Sequence, residues 1–258
     1  MNNPTLVEQL NSELLPLPTP QTFRFCSLGR SHVGRVRWVN EDAYLEHGES
    51  QLWAVADGMG GLNRGDHASK VTLRALQEYQ TGATLEACLA SLHAIINQAH
   101  DTCHKAFRGK RIGTTLALLH IVDSHGLLVW AGDSRIYRLR AGELEQLTID
   151  HNLAEQQRTQ GKPPQDGAQT LQSAHVLTRA VGVHREVCPQ LCYQSVQASD
   201  RFLLCTDGAF KDLDAHEIRA AMMLATPPEV LECVEGLALD RGGHDNTTSL
   251  VVDVSSPG

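Results

Sequence analysis

Four aspartates stand where short apolar runs end: Asp57 in AVADG, Asp133 in VWAGD, Asp207 in LLCTDG, and Asp245 in GGHDN, just ahead of a last apolar run. Burying an unpaired carboxylate is costly, and no lysine or arginine neighbours Asp57 in the chain. Carboxylates delivered to one cleft by several strand ends repel one another unless cations sit among them. Oxygen-only ligation, completed by water, suits Mg²⁺ or Mn²⁺. One Asp-Gly after a strand is ordinarily just a turn, because both residues favour turn geometry. Four such acids in one chain, two of them Asp-Gly directly after an apolar run, favour a common site.

Other chemistries fail on the letters. A dinucleotide loop needs GxGxxG, but from Gly58 the chain reads GMGGLN. A P-loop needs GxxxxGK[ST], but from Gly60 it reads GGLNRGDH, with Asp66 in place of lysine. The alternating acids of a Ca²⁺-binding loop are absent. Seven cysteines form no CxxC pair, and neither Cys188 with Cys192 nor Cys103 beside His100 and His104 has zinc-site spacing. Reduced thiols in a cytosolic protein are the better reading. His100 and His104 share a helical face, but without a third ligand they read as ordinary helix-surface residues. A net charge of −8 and 5% aromatic content argue against nucleic acid as a partner. The first residues lack the basic and apolar regions of a signal peptide, and no apolar run is long enough to span a membrane, so a soluble, cytoplasmic protein is expected.

The elements that must hold these acids follow from periodicity. QLWAVAD, GTTLALLHIV, GLLVWAGD, RFLLCTD and NTTSLVVDV are strand-length and aliphatic. Further strands are expected over Val33–Val39 and in a hairpin from Arg135 to Leu147 around Ala141-Gly142. HASKVTLRALQEYQ and TLEACLASLHAIINQAHDTCHKAF carry apolar residues at helical spacing, as do AHEIRAAMMLA and PPEVLECVEGLAL, the last opened by prolines. Helices that come in pairs, rather than one per strand, suit antiparallel sheets with helices layered outside. The first 20 or so residues, with three prolines near their end, read as a loosely held tail. A polar insert between Asp150 and His175, including GKPPQDGAQTLQSA, reads as a mobile surface flap.

RWVNEDA (37–43), DGMGG (57–61), GTT (113–115), GDSR (132–135), LTRAVG (177–182), TDG (206–208) and HDNTT (244–248) occur in one order. Each is weak alone, but together the set resembles the metal-dependent serine/threonine protein phosphatases of the PPM family, the type 2C phosphatases. DGMGG in place of DGHGG is similar to the bacterial branch. The resemblance implies an α+β fold, a four-layer αββα sandwich of two antiparallel sheets flanked by helical layers. It also implies one catalytic domain over residues 23–258, after a tail at 1–22 and with the flap around 150–176. By the same resemblance, Asp57 bridges two Mn²⁺ or Mg²⁺ ions and the Gly58 carbonyl coordinates one of them. Asp207 and Asp245 complete the other, while Glu41 and Asp42 hold metal-bound waters. Arg37 grips the substrate phosphate, and Asp133 with Asp207 matches the position of a third, looser metal.

The chemistry supports these residue types. A phosphate monoester carries nearly two negative charges, which repel an incoming hydroxide until they are neutralised. Two metals roughly 3.5–4 Å apart acidify a bridging water and orient it for in-line attack. Arginine offers a planar fork that lysine cannot copy. No Ser-His-Asp or Cys-x5-Arg arrangement occurs at these motifs. Two departures stand out. Met59 occupies the place of a histidine proposed as general acid in eukaryotic relatives, so the proton donor is unassigned; a metal-bound water, solvent or His151 are the alternatives. After TDG the chain reads AFKDLD, where leucine more often follows the glycine, which alters packing beside Asp207. Gly113–Thr115 and Ser134–Arg135 read as shaping strand ends. The resemblance implies a phosphatase that acts on phosphoserine and phosphothreonine in proteins and opposes a cognate Ser/Thr kinase; with no extra domain in view, a stand-alone catalytic module is expected, and a monomer. Two rivals are a pseudophosphatase that binds phosphoproteins without turnover and a small-molecule phosphomonoesterase.

Overall fold

The structure, a computed structural model, describes residues 4–12, 22–60, 64–106, 112–161, 173 and 175–257. Every strand pairing among the described residues is antiparallel. One sheet runs β1 (Arg24–His32), β11 (Thr247–Ser255), β10 (Arg201–Cys205), β7 (Arg135–Arg140), β8 (Glu143–Gln146). The other runs β2 (Asp42–His47), β3 (Leu52–Met59), β5 (Leu116–Val122), β6 (His125–Ala131), β9 (Gln190–Ser195), with the short β4 (Gly113–Thr114) paired to β3.

The alternation of side chains along a strand explains the layers. In β3, Trp53 and Val55 point into an apolar layer with Ala117, Leu128, Trp130, Phe202, Leu204 and Val252, which come from both sheets. Leu52, Ala54 and Ala56 point the other way, against Leu73 and Leu76 of α2 (Gly65–Gln77) and Leu89, Leu92 and Ile96 of α3 (Leu85–Ala106). On the far side, Leu203 and Val251 meet Ile218 and Met222 of α6 (Ala215–Met222) and Val230, Leu231 and Val234 of α7 (Pro227–Asp240). The result is the expected four-layer sandwich. The central strands are apolar throughout because both of their faces are covered. Both outer helices open with reciprocal capping boxes, Asp214 with Glu217 and Thr226 with Glu229, and Pro227 sits at the first helical position. Among the described residues no helix is long and apolar enough to cross a membrane.

Three expectations need correction. The segment 33–39 is a loop, not a strand. Gly34 takes φ +82°, and the carbonyls of Val33 and Val39 are satisfied by the Asn246 side chain rather than by a neighbouring strand. The start of the chain is not loose over α1 (Leu6–Ser12): Leu6 is fully buried, and the Gln9 side chain donates to the Pro189 carbonyl at 3.0 Å and accepts the Leu191 N–H at 2.8 Å. His100 is buried within α3 rather than on the surface, its Nδ1 accepting the Gly182 N–H at 3.0 Å. In the expected flap, Leu153–Thr159 forms α4, capped by Asn152, whose side chain accepts the Glu155 N–H. Residues 162–172 and 174, and so most of GKPPQDGAQTLQSA, lie outside the described residues.

A buried histidine gives the sandwich a testable pH response. His120 of β5 is fully buried, with Nδ1 donating to the Gln51 carbonyl and Nε2 accepting from the Tyr79 hydroxyl. Both nitrogens are thus used in the neutral ring, and burial pushes its pKa down to about 4. The unfolded chain binds this proton near pH 6.5 and the native one does not, so the histidine withdraws stability as pH falls from about 6.5 to 4. His120→Gln should remove up to about 3 kcal/mol of that acid-induced loss, read as a shallower pH slope in denaturant unfolding. An unchanged slope would show that the ring is protonated in the fold.

Candidate active site

The four aspartates come from four strand ends, as their positions demand. Asp57 is near the end of β3, opposite Asp42 at the start of β2. Its backbone is held from the side: its N–H donates to Thr115 Oγ1, and its carbonyl accepts from the Thr115 N–H and the Thr114 hydroxyl, all at 2.9 Å. The Thr115 hydroxyl bonds Ser134 Oγ at 2.6 Å. GTT and the Ser134 of GDSR, read from the sequence as shaping strand ends, therefore also position Asp57. The buttress extends outward, since Thr114 bridges to Val181 and the next residue, Gly182, is pinned by His100.

Asp207 opens the single turn α5 (Asp207–Phe210) after β10, and Asp245 lies two residues before β11. Gly208 must be bare because a Cβ there would stand 2.0 Å from the Asn246 carbonyl oxygen. Gly58 is bare for a packing reason as well. A Cβ would lie 2.2 Å from the Gly65 carbonyl oxygen at the start of α2 and 2.6 Å from that of Glu41. Beside Asp207, Phe210 supports the Arg135 guanidinium 3.9 Å above its ring, and Arg135 clamps Asp150 through two bonds of 2.7 and 2.8 Å.

Asp57, Asp133, Asp207 and Asp245 line one cleft of about 300 Å³, together with Arg37, Glu41, Gly58, Met59 and His175. Asp42 does not line it; it is buried behind Asp57, with Oδ2 accepting from the Thr206 hydroxyl at 2.8 Å. Arg37 Nη2 donates to Asp245 Oδ2 at 2.9 Å, and Lys211 Nζ approaches the same oxygen at 3.4 Å. Glu41 Oε1 accepts the Gly65 N–H at 2.8 Å.

The electrostatics are those of crowded acids. Burial, then repulsion from Asp42, Asp207, Asp133 and Asp245, holds the Asp57 carboxyl well above its ordinary range. Burial followed by the Asp207 charge lifts Asp133 to about 7. Burial also raises Asp207, against a smaller opposing pull from Lys211. Among the described residues no three His, Cys, Asp or Glu side chains close on a common point in this arrangement. The donor set nevertheless fits a hard divalent cation. It is all oxygen, its members repel without positive charge, and the buried Asp207 Oδ1 has no hydrogen-bond partner.

His151 is not poised to give a proton. It is buried, stacked on Trp130, and accepts the Gly132 N–H through Nδ1, while burial pushes its pKa down to about 4. The imidazole on the cleft wall is His175, which sequence reasoning passed over as part of the flap. Asn246 was also missed, although it adjoins Asp245. Its Nδ2 donates to the carbonyls of Val33 and Val39 at 2.8 and 3.0 Å, and its Oδ1 accepts the Glu41 N–H at 2.8 Å. One amide thus ties together both ends of the loop that presents Arg37 and Glu41, alongside the Arg35 N–H bond to the Gly243 carbonyl at 2.8 Å.

Two antiparallel sheets between helical layers, with aspartates from four strand ends in one cleft, define the type 2C phosphatase class. The Protein phosphatase 2C family profile matches residues 28–235, and the chain belongs to that family. Among curated relatives it is 33% identical over 229 residues to the serine/threonine protein phosphatase PstP of Mycobacterium tuberculosis, covering 87% of this chain but 44% of PstP. The chain thus spans less than half the length of that relative. Among solved structures, PppA, a key regulatory component of T6SS in Pseudomonas aeruginosa, superposes with a TM-score of 0.81 at 37% identity, covering 89% of this chain and 97% of PppA. The catalytic domain of PstP in complex with two manganese ions superposes with a TM-score of 0.78 at 33% identity, covering 91% of this chain and all of that domain.

Proposed function

We propose that the protein is a metal-dependent protein serine/threonine phosphatase that hydrolyses phosphoserine and phosphothreonine. The observation that carries this reading is the convergence of Asp57, Asp133, Asp207 and Asp245 with Arg37 on one cleft. Asp57, the Gly58 carbonyl, Asp207 and Asp245 would hold two Mn²⁺ or Mg²⁺ ions, with Glu41 ordering the surrounding water and Asp133 at the edge; Asp42, buried behind Asp57, would act only through its neighbours rather than on that water as the resemblance implied. Such ions, when bound, neutralise phosphate charge and make a coordinated water acidic enough to attack.

The chain's own residues do the rest. The Arg37 guanidinium, its side chain 52% exposed and resting on Asp245, is free to turn its fork to phosphate oxygens. Asn246 fixes the loop that aims it. Met59 and Gly60 line the cleft beside Asp57. The cytoplasm, a monomeric state, a single catalytic domain and a Ser/Thr kinase as the opposing enzyme complete the proposal. Support for protein substrates comes from the relatives, which are named as protein phosphatases, PstP as a serine/threonine protein phosphatase.

The purified protein should release phosphate from a phosphothreonine peptide with Mn²⁺, lose at least about a hundredfold of that rate in EDTA, and act more slowly on metabolite phosphates. No metal-dependent release from any phosphomonoester would sink the reading. Faster turnover of metabolite phosphates than of peptides would move it to a small-molecule phosphatase.

A further inference from the structure

Lys211 is the one residue of the AFKDLD departure that reaches the acids. It follows α5 directly and stands four residues after Asp207, so one helical turn places its ammonium back over that carboxylate. Nζ lies 3.8 Å from Asp207 Oδ2 and 3.4 Å from Asp245 Oδ2, and the side chain is only 26% exposed. Next to the main cleft, a cavity of about 200 Å³ is lined by Asp133, Arg135, Asp150, His175, Asp207 and Lys211. The cavity holds the carboxylates expected to take a third, looser metal, with a fixed positive charge in its wall.

We propose that Lys211 is a built-in cation that takes the place of the third metal ion, so that this protein binds two divalent ions where its Asp133–Asp207 pair would otherwise accept another. The inference rests on the two-ion reading above and specifies the chain's own part in it. Lys211 lines this side cavity together with Asp133 and Asp207 but does not line the main cleft where Asp57 and Asp245 stand, so a divalent ion between Asp133 and Asp207 would share its cavity with the ammonium, and like charges so placed repel. The backbone of Lys211 is placed by the turn, its N–H donating to the Asp207 carbonyl at 2.9 Å, and its ammonium is kept over the acids by the ion pairs to Asp207 and Asp245. Arg135, the other cation in the cavity wall, is occupied by its two bonds to Asp150 and does not substitute for it.

Calorimetric titration of the EDTA-stripped, dialysed full chain with Mn²⁺ tests this without reference to turnover. The wild type should take up two ions. Lys211→Ala should take up a third, at least about tenfold tighter than any residual third binding by the wild type. Lys211→Arg, which keeps the charge, should remain at two and guards against a folding defect in the alanine variant. The double variant Lys211→Ala/Asp133→Ala should return to two, placing the gained ion at Asp133. Three ions in the wild type, or two in a folded Lys211→Ala protein, would overturn the role of Lys211 and leave the phosphatase reading standing. No Mn²⁺ binding by any of the four proteins would overturn both.

Discussion

Asp57→Asn is expected to give a folded protein whose phosphopeptide turnover with Mn²⁺ is at least about a thousandfold below wild type. The fold should survive because the bonds that seat this residue are to its backbone, from Thr115 and Thr114. Turnover should not, because the neutral amide cannot act as an anionic bridging ligand for divalent ions. A second readout has the opposite sign. The Asp57 carboxyl is raised by burial first and by its acidic neighbours next. A carboxyl raised in the folded state costs stability as pH climbs above its unfolded value, since the native chain then holds a proton the unfolded chain releases. In EDTA at pH 8 the asparagine variant should therefore melt above wild type, whereas excess Mn²⁺ should stabilise wild type far more than the variant. Wild-type turnover in folded Asp57→Asn would remove Asp57 from the mechanism.

Asn246→Asp should damage both stability and activity, although this side chain is a positioning residue and touches no reacting atom. Aspartate is nearly the same size but has no N–H to donate to the carbonyls of Val33 and Val39, and its charge would face both of them. An unsatisfied buried polar group costs about 1–3 kcal/mol, so a loss of about 2–4 kcal/mol is expected in guanidinium unfolding. The loop from residue 33 to 41 would then hold Arg37 and Glu41 less closely, and an ångström of misplacement can cost about a hundredfold in rate. The deficit should fall on kcat/KM for phosphopeptides at saturating Mn²⁺, with the number of ions bound unchanged. Wild-type kcat/KM in a destabilised variant would show that Asn246 supports the fold alone.

What could be read from the sequence, and what could not, follows from distance along the chain. β3, β5, β6, β10 and β11 announce themselves because both faces are covered and the residues are apolar throughout. β1, β2 and β9 lie at sheet edges, and RFCSLGRSH, DAYLEH and QLCYQS carry too many polar residues for their periodicity to stand out. β8, also at an edge, was found only through its turn, where Ala141 and Gly142 take positive φ. Val33–Val39 misled because three β-branched valines and a tryptophan in seven residues suggest a strand, whereas an asparagine more than 200 residues later takes up the Val33 and Val39 carbonyls. The acids were legible because each stands at one end of its own strand, Asp245 ahead of β11 and the others at the close of theirs. Their partners were not, since Thr115 with Ser134, Arg37 with Asp245 and Asn246 with Glu41 meet only after the sheets have formed.

The central claim is that Asp57, Asp207 and Asp245 jointly hold divalent ions. Anomalous diffraction at the manganese edge from crystals grown with MnCl₂ tests it most directly. Two peaks are expected within coordination reach of those three carboxylates, one of them also at the Gly58 carbonyl. Peaks elsewhere, or a cleft without anomalous density at millimolar Mn²⁺, would contradict the account.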